Sequence, residues 1–89
     1  MSINSRLIVE KLSEAMSNLA EVIPKVRRED ISIYINAGEW GLALEFICEF
    51  LYEYELPITA KAYRLLEEAE GLMNAKLDLL DALKSQIED

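Results

Sequence analysis

Glu45, Glu49 and Glu53 stand four residues apart, with Tyr52 beside them. On a helix this spacing sets three carboxylates in one row, each about 5–6 Å from the next. Carboxylates so placed could hold a metal or divide into acid and base, but both chemistries need further groups. Di-metal bundles add inward-facing Glu-x-x-His motifs, and the chain has no histidine. The same absence removes any histidine-based triad. The three glycines, at 38, 41 and 71, are scattered, so neither a calcium loop nor a phosphate-binding loop can be drawn. The single cysteine, Cys48, falls on the apolar side of the segment, where a thiol behaves as an inert small hydrophobe. These residues predict no enzyme, no metal site and no cofactor. What remains for the row is attraction. Like charges at four-residue spacing repel by a few tenths of a kcal/mol per pair, and no lysine or arginine lies between Arg28 and Lys61 to relieve them. The row is either a solvated helix face or a docking face for a basic partner, with Tyr52 as an amphipathic anchor.

Bulk charge bears on that choice. Seventeen acids against nine bases give a net charge of −8. A field of that sign repels nucleic acid, and Arg27-Arg28 is too small a basic patch to overcome it. It attracts basic proteins and speeds their encounter, although charge can also serve solubility alone. An apolar content of 52% supplies a core and argues against disorder. At 89 residues the expectation is one domain over residues 1–89, burying about 60–65% of its unfolded surface. No apolar run approaches the ~18–20 residues of a membrane span. The start, Met1 to Arg6, lacks the layout of a secretory leader, and one cysteine makes no internal disulfide. Both point to the cytoplasm.

The elements that must position these residues read as helices. Ile3, Leu7, Leu12, Ala15, Met16, Leu19 and Ile23 form one stripe, giving a first helix from about Asn4 to Val22 that stops before Pro24. Pro24 suits the first turn of a second helix, with Asp30 as the other possible start. Asp30 to Asn36 also alternates like a strand, but nothing else in the chain could pair with it. Gly38 supplies the left-handed residue that ends this helix. A third helix starts near Glu39 to Gly41 and ends before Pro57. Its apolar residues cover more than half the circumference, which marks it as the central element. Thr59 caps the last segment, with Ile58 and Tyr63 at the two positions of a hydrophobic staple. Leu66, Ala69, Met73, Leu77, Leu80, Leu83 and Ile87 continue one stripe, so a long C-terminal helix is expected, kinked or broken at Gly71. The fold class is all-α: a small antiparallel bundle of about four helices.

Tyr34-Ile35-Asn36-Ala37-Gly38-Glu39-Trp40-Gly41-Leu42-Ala43-Leu44-Glu45, then Cys48, Leu51-Tyr52-Glu53-Tyr54 and Leu56-Pro57-Ile58, resembles the MafI family of small bacterial immunity proteins. The family's features are a Gly-Glu-aromatic-Gly-Leu-Ala-Leu-Glu run, a Leu-Tyr-Glu-Tyr element and a proline before the last helix. The likeness covers about Val26 to Met73, and the residues after Ala75 look like an extension. It implies neutralisation of a cognate secreted toxin, often a nuclease, by stoichiometric binding. An acidic protein suits the basic substrate cleft of such an enzyme. The expected toxin-binding residues are Glu45, Glu49, Tyr52 and Glu53, with Glu39 and Glu55 at the rim and Trp40 at the helix entrance. The other reading of Trp40 is a cover over the end of the core. The partner is then a basic toxin domain, with no nucleic acid and no membrane, and the protein is a monomer or weak homodimer. The alternative is a non-enzymatic helical adaptor that self-associates through its C-terminal stripe.

Overall fold

The computed structural model describes residues 3–88. Five helices follow one another: α1 (Ile3–Asn18), α2 (Lys25–Asn36), α3 (Trp40–Glu53), α4 (Ala60–Leu72) and the short α5 (Asp78–Ala82), which runs into a 3₁₀ turn (Leu83–Gln86). Among the described residues the only extended pairing is a single parallel bridge between Ile58 and Ile87. The all-helical reading holds, and the segment Asp30 to Asn36 is helical.

Each helix end has a local cause. α1 closes four residues earlier than the sequence stripe suggested, and residues 19–22 turn toward Pro24. Pro24 is the residue before α2, with φ −58° and ψ 151°, so the helix proper starts at Lys25. Gly38 (φ +80°), Glu55 (φ +49°) and Asn74 (φ +55°) stand in the left-handed region just past α2, α3 and α4. In all three places the same closure forms: Gly38 N–H donates to Ile35 O and Glu39 N–H to Tyr34 O, and Glu55 and Leu56, then Asn74 and Ala75, repeat the pattern. This double bond satisfies carbonyls that a helix end otherwise leaves unpaired. Thr59 Oγ1 accepts from Ala62 N–H at 3.0 Å, and Ile58 and Tyr63 are both buried, as the cap and staple require.

α3 lies at the centre, touching α1, α2, α4, α5 and the 3₁₀ turn. Its inward face is Ala43, Leu44, Ile47, Cys48 and Leu51, all fully buried. The most extensive helix pair is α1 with α4.

The long C-terminal helix does not form. α4 ends at Leu72, and Asn74 rather than Gly71 marks the break. Glu70 Oε2 then accepts Leu77 N–H at 2.7 Å, fixing the reversal. A continuous helix from Ala60 to Ile87 would be about 42 Å long, longer than the molecule's greatest extent of 34 Å. Its last turns would carry their apolar stripe into water. Folding back buries Leu80 and Leu83 instead. The residues after Ala75 are therefore part of the core, not an appendage to it. Gln86 Nε2 completes the join, donating to Leu51 O at 2.8 Å and Leu56 O at 2.9 Å.

Candidate interaction groove on helices α2 and α3

The Ile31-Ile33-Ile35 triplet explains how the site is built. Steps of two residues on a helix turn by about 200°, so Ile31 and Ile35 face inward while Ile33 must face out. Ile31 and Ile35 are buried and Ile33 is 65% exposed. The same outward side of α2 carries Val26, 67% exposed. Every large apolar or aromatic side chain that is exposed among the described residues belongs to this region: Val26, Ile33, Leu42, Phe46, Tyr52 and Tyr54. All lie on α2, on α3 or on the residue that caps α3.

Between α2 and α3 lies an open groove of about 460 Å³. Its floor is aromatic: Tyr34 packs on Phe46 with ring centroids 5.1 Å apart, and Phe50 on Tyr54 at 4.8 Å. Both are tilted pairs within the favourable range. Ile33, Arg27 and Asp30 form the α2 wall, and Glu49 and Glu53 the α3 rim. The ion pairs among the described residues are Lys11 with Glu68, at 3.1 Å, and Lys84 with Asp81, at 3.6 Å. Neither involves the α3 carboxylates, which stay exposed.

Of the seven residues expected to bind a partner, Glu49 and Glu53 line the groove. Glu45 and Tyr52 are exposed on α3 beside it, and Glu39 and Glu55 are exposed at the two ends of that helix. Trp40 is half-buried against the core, and its Nε1 donates to Ile35 O at 3.1 Å. That bond ties the start of α3 to the end of α2, so Trp40 locks the hairpin. Phe50, within the broad apolar arc of α3, is half-buried and forms part of the groove. Sequence reasoning missed Ile33, Tyr34, Phe46 and Arg27, and the spacing of the isoleucine triplet was the available signal. The basic doublet divides: Arg27 faces the groove, while Arg28 Nε donates to Ile23 O at 2.9 Å on the α1 side.

On the core-facing side of α3 Cys48 is fully buried, and its thiol is pushed up to about 12, chiefly by burial and further by Glu70 and Glu49. No three His, Cys, Asp or Glu side chains among the described residues are grouped to hold a metal ion. No helix there is long and apolar enough to cross a membrane. Comparison of the chain with protein families, with curated proteins and with solved structures finds no match.

Proposed function

We propose that this protein binds and neutralises a basic protein partner stoichiometrically, as an immunity protein does for its cognate toxin, acting in the cytoplasm without turnover of its own. The observation that carries the reading is that, among the described residues, the exposed large apolar side chains collect on α2 and α3, beside carboxylates that no lysine or arginine there pairs. Apolar groups that water could be spared are a common mark of an interface when polar groups rim them. The carboxylate row sets the sign of the partner and speeds encounter. The likeness of Gly38 to Glu45 and Leu51 to Tyr54 to the MafI immunity family supplies the kind of partner, a toxin domain. A nuclease fits, because a cleft that holds phosphates is basic.

The alternative, self-association through the C-terminal stripe, loses its motive. Leu66, Ala69, Leu80 and Leu83 of that stripe are buried in the core, and Met73, Leu77 and Ile87 pack against it.

The test is co-expression of the C-terminal domain of the reading frame immediately upstream of this protein's gene, with and without this chain, scoring survival. Calorimetry on the purified pair gives the stoichiometry. Survival and a one-to-one complex are expected. Cell death regardless of this chain, together with no heat of binding, would sink the reading.

A further inference from the structure

Along the groove the charged and aromatic residues of α3 and its cap run in register. Glu45-Phe46, Glu49-Phe50 and Glu53-Tyr54 repeat one acid–aromatic step every four residues, which is about 6 Å along the helix. The aromatic row lines the groove and the acidic row flanks it. The α2 wall adds one charge of each sign, Arg27 and Asp30, with Ile33 one step further along, so the bias toward a cation comes from α3.

Resting on the binding function proposed above, we infer that the occupant of this groove is an amphipathic basic α-helix of the partner, seated along α3. Such a helix presents apolar residues on one face at the same 6 Å step, with lysines or arginines beside them. Helices packed side by side at a shallow angle interdigitate rows of this kind. An extended segment also spaces alternate side chains at a similar step. It would leave its own backbone N–H and C=O groups unpaired, because two helical walls offer no sheet edge to join. The helix brings its backbone bonds with it.

The experiment uses the intact chain and a designed probe. The probe is a helix of about 18 residues, longer than the ~12–15 at which isolated helices become marginal, with leucines on one face and lysines beside them. A peptide of the same composition in shuffled order has the charge but no apolar face. Two variants carry the same added charge on the same helix: Ile33→Lys inside the groove and Ser32→Lys on the side of α2 that faces α1, both at exposed positions. Thermal melts check that both are folded.

The ordered peptide is expected to bind and the shuffled one much more weakly. Ile33→Lys should weaken binding at least ~10-fold and Ser32→Lys less than ~2-fold, because only the first loses a contact made inside the groove. Equal losses at the two positions, equal binding of the shuffled peptide, or no binding of the ordered one would overturn the inference. The two proposals fail separately. Toxin protection with equal lysine effects removes the seated helix and keeps the immunity function. Groove-specific peptide binding with no protection does the reverse.

Discussion

α2 and α4 are nearly the same length but are used differently. α4 buries five residues, Ala62, Tyr63, Leu65, Leu66 and Ala69, whereas α2 buries only Ile31 and Ile35. The α1–α4 side closes its apolar stripe against itself, and the α2–α3 side leaves one open to water. The two sides differ less in composition than in where their apolar residues point. Burial is sparse on α2 itself, which is held by Ile31 and Ile35, the hairpin bonds of Trp40 and Gly38, and the Arg28 bond to Ile23 O. An element with few buried contacts is the one that opens most readily, and a partner covering α2–α3 would stabilise it most.

The largest expected effect tests that asymmetry directly. Leu12→Ala, Leu66→Ala and Leu51→Ala remove fully buried side chains, and each should cost about 2–5 kcal/mol. Ile33→Ser should cost under ~0.5 kcal/mol, as exposed substitutions do. Phe50→Ala should fall between them, since the ring is half-buried. Urea denaturation gives all five, and a cost at Ile33 equal to that at the buried leucines would break the comparison.

Alkaline pH sharpens it on α3 itself. The Cys48 thiol ordinarily titrates at 9.0 and in the folded chain at about 12. Between these values the unfolded state has lost the proton and the folded state keeps it, so stability is complete below pH 9 and falls as pH rises. Each unit in that window should remove at most about 1.4 kcal/mol. The Tyr63 hydroxyl, pushed up chiefly by burial, adds to the fall in the same direction. In Cys48→Ala the decline between pH 8 and 10.5 should be shallower, and an unchanged slope would mean the thiol is not held as buried as it looks.

A smaller effect concerns the turn beyond the groove. Glu55 has a side chain where the backbone is left-handed, a conformation that costs an L-residue roughly 1 kcal/mol relative to glycine. Glu55→Gly should raise the melting midpoint accordingly, and Gly38→Ala should lower it by a similar amount. The smallest effect belongs to the acidic row. Glu45/Glu49/Glu53→Gln should stabilise the free protein by a few tenths of a kcal/mol as repulsion is removed. It should weaken toxin binding at low salt, with the loss shrinking as salt screens the wild-type charges. Unchanged affinity at low salt would take the row out of the interface.

Much of this architecture was legible in the residues. The α2–α3 boundary was written in Gly38, the start of α4 in Thr59 with its Ile58–Tyr63 staple, and the core face of α3 in its apolar arc. The break at Asn74 was not, because Leu66 to Ile87 keep helical periodicity on both sides of it. Only the size of the body, which a continuous helix would overrun, decides the matter. Glu55 was unreadable for a related reason: its left-handed backbone answers to the exit toward Leu56 and Pro57, where proline holds the preceding residue extended, not to any preference of glutamate. At the site, spacing alone located the carboxylate row. The aromatic floor needed α2 as well, since Tyr34 and Phe46 meet only across the hairpin.

The pairing of α1 with α4 has a consequence for synthesis. A ribosome makes chains from the N-terminus at about 5–20 residues per second. α2 and α3 are consecutive and can join soon after they emerge. α1 emerges first, yet its main partner is completed only at Leu72. For several seconds the nascent polypeptide therefore carries the sticky stripe of Leu12, Ala15, Met16 and Leu19 without its main cover. Chaperones that capture short apolar helices should engage this segment and let go once translation has passed α4.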